Sequence, residues 1–332
     1  MIKYLLSITL VVFVLPAFAQ QGMQYTQFMF NKLQFNPAYA GTKGHFALSA
    51  IYRKQWLGID RAPQSATLNA HGALLDKKLG LGLSLSYDQI GFSNRVNIET
   101  NYSYIIPFKN RSFLSLGIRG AAYYNQIRWE DADMIDQFDA AIPLSSTSSI
   151  LPNFGAGVYY QSRRWYLGVS VPHIFRNQGD FNIASNGVVE PEFTQHYYMM
   201  TGVVFPIAKN VQIQQNLLLK YVVNAPLATD INMSVVFHDK ILLGLTYRVG
   251  DSIDAMLQWQ INNRLRIAIA YDFSVTQLQQ YNSGSIEAMI GYQFAPSKTE
   301  KDPLPLELEE GETEEELQQR KKDKGTYNHR FF

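Results

Sequence analysis

The chain has 332 residues, a formal net charge of +1 and no cysteine. It therefore has no disulfide and no thiolate metal site, and its charge gives no general attraction for nucleic acid. Aromatic residues make up 13% of the chain and charged residues only 17%. This mixture suits a protein that meets lipid on one side and water on the other.

The first residues are typical of a secretory signal peptide. Lys3 precedes an apolar stretch at residues 5–15, which is followed by the small-residue site Ala17-Phe18-Ala19. This pattern predicts a signal peptide over residues 1–19. The alternative is a membrane anchor, but the apolar run is shorter than the roughly 20 residues that a spanning helix needs. No later apolar run approaches that length, which excludes a helical membrane protein.

A period of two in the hydrophobic pattern decides the fold class. Apolar residues occupy every second position of segment 79–87, with Gly and Ser between them, and segment 264–273 alternates in a similar way. Such segments are strands with one apolar face, because successive side chains of a strand point to opposite sides. Arg119, Lys220 and Arg248 lie in or near the middle of such strands, where a polar lumen can hold them and a dry core cannot without costly pairing.

The sequence thus predicts an all-β fold, a transmembrane antiparallel up-and-down β-barrel of about 14 strands in the outer membrane of a Gram-negative bacterium. Every second connection is short and basic, and the others are mostly longer, with the turn at 250–252 as a short exception. This matches short periplasmic turns and long outer loops, and it predicts both termini in the periplasm. The predicted strands are residues 45–54, 64–73, 79–88, 95–106, 112–127, 153–161, 165–171, 195–205, 210–221, 231–238, 241–249, 253–261, 264–273 and 285–294.

Aromatic residues near the predicted strand ends are expected to form the two girdles at the membrane surfaces. The expected girdle residues include Tyr102, Tyr104, Tyr123, Tyr124, Tyr159, Tyr160, Tyr197 and Tyr198.

The predicted organisation has four parts: a signal peptide at 1–19, an N-terminal segment at 20–44, the barrel at 45–295 and a charged tail at 296–332. Residues 24–41 are too apolar for a free linker, so we expect a plug inside the lumen; the alternative is a strap on the periplasmic rim. The tail carries an acidic block followed by a basic one, and it is expected to be a partly disordered periplasmic tail or, alternatively, a docking peptide.

No motif for catalysis, cofactor binding or phosphate binding is present, and the six His are scattered without metal-ligand spacing, so we expect a protein that is not an enzyme. One acidic cluster lies on the longest predicted outer loop. Its carboxylates could hold Ca²⁺, but the spacing lacks the Gly and terminal Glu of a Ca²⁺ loop, so a solvated loop or a partner-binding face is favoured. The cluster consists of Glu130, Asp131, Asp133, Asp136 and Asp139.

Several short motifs give the chain a resemblance to a known family. They are Gln27-Phe28-Met29-Phe30-Asn31, Asn36-Pro37-Ala38-Tyr39-Ala40-Gly41, Tyr52-Arg53-Lys54-Gln55-Trp56, Ala62-Pro63, and Leu79-Gly80-Leu81-Gly82 through Asp88 and Gly91. With these motifs the chain resembles the PorP/SprF family of type IX secretion system membrane proteins from Gln20 to about Phe294. The acidic tail has no match in this resemblance.

The resemblance implies an outer-membrane barrel of the type IX secretion and gliding apparatus that binds a secreted, adhesin-like surface protein, or its C-terminal domain, for export or anchoring. Other type IX components and outer-membrane lipid are the further implied partners. Residues of the N-terminal segment and the first strand are expected to contact the plug or a partner, although Trp56 could instead be an interfacial anchor. The expected contacts are Phe28, Phe30, Asn31, Asn36, Pro37, Tyr39, Gly41, Arg53, Gln55 and Trp56.

An alternative function is a FadL-like or porin-like transport barrel for small solutes or apolar ligands. The Asn-Pro-Ala element also resembles the N-terminal part of fatty-acid transporter barrels, at the level of fold only. Small inward-facing residues at Gly80, Gly82, Gly117 and Gly168 could leave room for a solute, or they could accommodate a packed plug.

Overall fold

A computed structural model describes residues 22–75, 77–108, 112–131, 145–175, 184–186 and 194–294. The expected signal peptide and charged tail, together with Asp133, Asp136 and Asp139, lie outside these ranges. Within them, no helix is both long enough and apolar enough to cross a membrane.

The fold consists of strands and a few short helical turns. The strands are β1 Ala47–Lys54, β2 Gln64–Leu74, β3 Leu79–Ile90, β4 Ser93–Pro107, β5 Phe113–Ile127, β6 Thr147–Gln161, β7 Trp165–Val171, β8 Ala184–Asn186, β9 His196–Ala208, β10 Val211–Val222, β11 Ala228–Phe237, β12 Ile241–Arg248, β13 Ser252–Gln260, β14 Leu265–Ser274 and β15 Ser285–Gln293. The helical turns are Phe28–Phe30, Lys32–Phe35, Pro37–Tyr39, Trp129–Asp131 and Gln277–Gln280.

Fourteen of these strands form a closed antiparallel barrel, as predicted. Consecutive barrel strands pair with each other, and the first and last strands close the ring with a register that runs from Ala47↔Gln293 to Lys54↔Ile286. The three-residue strand β8 lies in a stretch predicted as loop and pairs only with β6 among the described strands. Closure satisfies the backbone groups that an open sheet edge would leave unpaired in lipid.

Exposure alternates along the strands in the sense opposite to that of a soluble protein. In β3, Leu83, Leu85 and Tyr87 are exposed, whereas Ser84 and Ser86 between them are buried. The apolar face thus lies outside, where hydrocarbon would cover it, and the polar face lines the lumen. This arrangement confirms the two faces that the sequence predicted.

The predicted aromatic girdle is wrong for one tyrosine of each adjacent pair. Tyr124 and Tyr197 point outward, but Tyr123 is buried in the lumen and Tyr198 packs its ring against Phe35. Tyr159 is also completely buried. Neighbouring residues on a strand face opposite sides, so only one member of each adjacent pair can reach the membrane surface.

The two ends of the barrel differ in their connections. We call the end at which β1 begins and β15 ends the short-turn end, and the opposite end the long-loop end. Two connections differ from the prediction: the one between β3 and β4 has only two residues, and β6 begins at Thr147, six residues before the predicted start at 153. Pro152 suggested a loop, but it lies where β6 extends past the end of β7, and a strand tolerates Pro at such an edge.

Candidate functional site

The N-terminal segment, defined as residues 22–46, runs through the lumen from the long-loop end to the short-turn end. Residues 25–41 are buried except for the half-buried Gln34. Pro37 disfavours helical backbone at Asn36, so the second helical turn ends at Phe35. The Asn36 side chain accepts a hydrogen bond from the Ala38 N–H at 2.9 Å and so caps the third turn. Residues 25–41 therefore do not lie as a strap on a rim of the barrel.

Charged side chains hold the segment near the long-loop end. The Arg53 guanidinium lies 2.5 Å from Asp272 and 3.2 Å from Glu287, and all three groups are buried. The backbone N–H groups of Thr26 and Gln27 donate to the Glu287 carboxylate at 2.9 and 3.0 Å. We call Arg53, Asp272 and Glu287 the charged clamp; its buried charges are paired and hydrogen-bonded, which compensates their desolvation.

A second set of buried charges continues around the wall from the clamp. Lys220 lies 2.7 Å from Asp230, and the Arg248 guanidinium is within 3.5 Å of Asp230 and 3.6 Å of Asp254. The prediction that Lys220 and Arg248 face the lumen is therefore confirmed. Arg119, the third predicted inward charge, pairs with Glu99 at 3.0 Å.

Arg119 also binds the middle of the N-terminal segment. Its guanidinium donates to the backbone carbonyls of Leu33 and Gln34. These carbonyls lie at the C-terminal end of the helical turn Lys32–Phe35, where no backbone N–H of the turn can reach them. The planar guanidinium of Arg119 supplies the donors instead.

The buried Lys32 side chain lies among aromatic rings. Its amino group is 3.5 Å from the centroid of the Tyr166 ring and 5.5 Å from that of Tyr39, and it donates to the Tyr159 hydroxyl at 3.4 Å. A cation over an aromatic face gains electrostatic stabilisation, and the gain is larger away from water. This contact attaches the segment to β6 and β7.

Close packing against glycine holds the segment nearer the short-turn end. A Cβ atom at Gly117 would overlap the backbone of Ala38, and one at Gly80 would overlap the carbonyl of Ala40. Because these glycines have no side chain, the backbone of the segment can approach the wall closely at both positions. Of the two sequence interpretations of the inward glycines, the packed one fits these contacts.

The predicted contact residues separate into two groups. Phe28, Phe30, Asn31, Asn36, Pro37, Tyr39, Gly41 and Arg53 all lie in the lumen. Gln55 and Trp56 instead begin the β1–β2 loop at the long-loop end, where the Trp56 backbone adopts a φ of 46° and its N–H donates to Ser285. Within the described ranges, the Trp56 side chain makes no hydrogen bond or aromatic contact with the segment.

Hydrogen bonds join several loops at the long-loop end into what we call the rim. Leu57 and the β14–β15 loop exchange two backbone bonds, from Leu57 N–H to Gly284 at 2.8 Å and from Ser283 N–H to Leu57 at 2.7 Å. Arg61 lies 4.5 Å from the centroid of the Phe92 ring in the β3–β4 turn and donates to the Asp131 carbonyl. The rim is thus tied together across four connections.

The described part of the acidic cluster is engaged with its neighbours. Arg128 lies 3.1 Å from the Asp131 carboxylate, and the Ser146 hydroxyl donates to Glu130 and lowers the pKa of that carboxyl. No group of three or more His, Asp or Glu side chains within the described ranges is arranged to hold a metal ion.

Some of the residues that hold the segment were not identified in the sequence. Asp272, Glu287 and Lys32 had no motif, but Asp272 and Glu287 each occupy an inward position of an alternating strand. A carboxylate at such a position among apolar outward neighbours is the signal that could have identified them.

A comparison with known protein families identifies the family of the chain. A family model described as "Type IX secretion system membrane protein PorP/SprF" matches residues 17–292. No curated protein matches the chain.

Among solved structures, the chain is similar to the Acinetobacter baumannii outer membrane protein Omp33, with 10% identity over 75% of this chain and 98% of that one and a TM-score of 0.43. It is also similar to the Ralstonia pickettii toluene transporter TbuX, with 8% identity over 80% and 92% of the two chains and a TM-score of 0.46. A Pseudomonas aeruginosa FadL homologue gives 11% identity over 81% and 94% and a TM-score of 0.42.

Proposed function

Because this chain belongs to the PorP/SprF family of type IX secretion system membrane proteins, we propose that it is an outer-membrane barrel that binds a secreted surface protein for export or anchoring. The observation that carries the proposal is the filled lumen. A barrel whose interior is occupied along its length by its own chain offers its ends, rather than a channel, to other molecules. We further propose that the long-loop end faces the outside, as in outer-membrane barrels generally, with the short turns in the periplasm.

The rim is the surface that we assign to the secreted protein. Its loops are cross-linked by backbone hydrogen bonds, so the partner would meet a surface that needs little ordering on binding, which favours affinity. Arg61 and Asp60 are exposed there, and Trp56 and Ile59 are half-buried. Aromatic residues and Arg are enriched in protein-binding surfaces.

Deleting the gene tests the proposal in cells. We expect one surface protein to disappear from the cell surface and to accumulate inside or in the medium, as measured by surface proteomics. Unchanged surface display of every secreted protein would contradict the proposal. Purification of the barrel from native membranes, followed by mass spectrometry, should then recover the same protein.

A pair of matched variants tests the rim. Arg61→Ala removes an exposed cation that ties two loops together, and Lys240→Ala removes an exposed cation from the β11–β12 turn at the opposite end. We expect Arg61→Ala to lower co-purification of the partner several-fold and Lys240→Ala to leave it unchanged. Equal effects of the two variants would exclude the rim as the contact surface.

Conductance measurements separate this proposal from the transport alternative. Transport would require the N-terminal segment to leave the lumen, against its charged clamp and its contacts with Gly80 and Gly117. We expect the purified barrel to stay closed in planar bilayers and in liposome swelling. Stable conductance of the unmodified protein would favour transport.

A further inference from the structure

A cavity lies beside the start of the N-terminal segment, in the half of the lumen near the long-loop end. Gly22 and Met23 line it on one side, and residues of β4 and β9 line it on the other. Its volume is about 60 Å³ on the measure in which one water molecule needs roughly 10–15 Å³. The cavity therefore holds about four to six water-sized groups, which is the size of a glutamine side chain.

Three side chains that line the cavity present hydrogen-bond acceptors without a partner. Oδ1 of Asn97 and Oε1 of Gln34 are buried and accept no hydrogen bond in the part of the chain that the structure describes. Nδ1 of His196 lies 2.8 Å from the Thr194 carbonyl, so it carries the proton of the neutral ring and leaves Nε2 as an acceptor, which has no partner there either. Asn97 and His196 are 2% and 5% exposed. A buried acceptor without a donor is costly, so this cavity favours a group that brings N–H or O–H donors.

The charged groups of the lining are already engaged. The Glu99 carboxylate accepts from the Tyr123 hydroxyl at 3.1 Å and lies 3.0 Å from the Arg119 guanidinium. Arg95 also lines the cavity, and its Nε donates to Asn125 at 2.7 Å. The positive charge of Arg95 would repel a cation, so a neutral donor fits the three acceptors better.

The start of the processed chain lies close to this cavity. The expected cleavage after Ala19 makes Gln20 and Gln21 the first residues. One residue spans at most about 3.3–3.6 Å, so Gln20 is within about 7 Å of Gly22 along the chain. Gly22 itself borders the acceptors, because a Cβ atom there would lie 3.6 Å from Nε2 of His196. Each glutamine amide is neutral and carries two N–H donors.

We infer that the amino-terminal pair Gln20-Gln21 of the processed chain fills this cavity, with its amide N–H groups donating to Asn97 and His196. The pair extends the plug at this end of the lumen and joins it to β4 and β9. A precursor that keeps residues 1–19 has far more chain before Gly22 than the cavity can hold, so removal of the signal peptide is what allows the fit. The inference is independent of the secreted partner and of which end of the barrel faces the outside.

Cysteine labelling locates the pair, because the chain has no cysteine of its own. In the purified mature barrel, Gln20→Cys should react with a maleimide at least tenfold more slowly when folded than in urea. Ser283→Cys, at an exposed position of the β14–β15 loop at the same end, is the control and should react at similar rates in both states. Fast reaction of the folded Gln20→Cys barrel, or an intact mass that does not begin at Gln20, would overturn the inference.

The same label tests the role of signal-peptide removal. The precursor with Gln20→Cys, refolded with residues 1–19 still attached, should react as fast as the Ser283→Cys control. Slow reaction of the folded precursor would mean that the pair reaches the cavity without cleavage and would refute that part of the inference.

A double-mutant cycle tests the hydrogen bonds. Asn97→Ala should lower the urea midpoint of the chain that keeps both glutamines, and by at most half as much in the Gln20→Ala/Gln21→Ala chain, because the donors are then already missing. The bond from Asn97 to Ser86 at 2.9 Å is lost in both backgrounds and cancels. The control Asn101→Ala removes an inward amide of the same strand that is not part of the lining, and its effect should be the same in both chains. Equal effects of Asn97→Ala in the two chains would refute the contact with the pair.

Discussion

The two halves of the contact between the N-terminal segment and the barrel wall are built in opposite ways. Near the long-loop end, Thr26 and Gln27 are held by the charged clamp, through side chains that reach inward. Near the short-turn end, Ala38 and Ala40 touch the wall where glycine has no side chain. The first contact is lost when a side chain is removed, and the second is lost when one is added, so different substitutions test each half.

The largest effect should come from breaking the charged clamp. Arg53→Met leaves the Asp272 and Glu287 carboxylates buried without the guanidinium that lies beside them, and we expect the free energy of unfolding to fall by ~3–5 kcal/mol. Urea-dependent unfolding in lipid vesicles, followed by Trp fluorescence, measures this change. Arg264→Met, at an exposed turn position, is the control and should change the value by less than ~0.5 kcal/mol. Similar values for the two variants would mean that the clamp does not hold the segment.

The next effect should come from filling a glycine position. Gly117→Val places side-chain atoms where the Ala38 backbone lies, and we expect a loss of ~1–3 kcal/mol. The segment should also become accessible, so that trypsin cleaves at Lys32, which is buried in the wild type.

Gly120 offers a matched control on the same strand. It faces the outer side of β5, and a Cβ atom there meets only Thr100 at 3.4 Å. Gly120→Val should leave Lys32 protected from trypsin. Cleavage in both variants would point to a general loss of barrel structure rather than to displacement of the segment.

A smaller effect should follow from Asn36→Ala at the boundary between the two halves. The Asn36 side chain caps the turn at Ala38 and donates to the Val158 carbonyl at 3.0 Å, so its loss should cost ~1 kcal/mol. The same unfolding assay measures the change, with the exposed Asn210→Ala as a control. If the two variants have the same free energy of unfolding, close packing against glycine alone holds this part of the segment.

The smallest effect should come from Lys43→Met, near the short-turn end. Within the described ranges Lys43 forms no ion pair with Asp or Glu, so this change leaves no carboxylate unpaired, in contrast to Arg53→Met. We expect the free energy of unfolding to change by less than ~0.5 kcal/mol. A loss as large as that of Arg53→Met would show that Lys43 has an anionic partner in the protein and that the two halves are alike.

Alternation along the chain was sufficient to predict the fourteen strands of the barrel and their two faces. The period of two places Leu81 and Leu83 outside and Ser84 inside without knowledge of any neighbour. It failed where two signals conflicted: Pro152 suggested a loop, although a strand that extends beyond its neighbour can contain it. It also could not assign both residues of an adjacent tyrosine pair to the membrane surface.

Which charges meet in the lumen could not be predicted in the same way. Arg53 lies far from Asp272 and Glu287 in sequence, and their contact depends on the register between the first and last strands. The apolar character of residues 24–41 suggested a position in the lumen, but not the separate places of Trp56 and Gln55 on the rim. Alternation predicts which face of the sheet a side chain occupies. Which inward side chains meet depends on how the strands pair around the barrel.

The seam between β1 and β15 also has a consequence for biogenesis. Glu287, which receives the N–H groups of Thr26 and Gln27, belongs to the final strand, whereas the residues that it holds precede the first one. The carboxylate that holds this part of the N-terminal segment thus lies on β15, the last strand of the barrel to be synthesised. Until β15 docks, the N–H groups of Thr26 and Gln27 lack the Glu287 carboxylate, so docking of β15 completes both the ring of strands and this end of the segment's attachment in one non-local event.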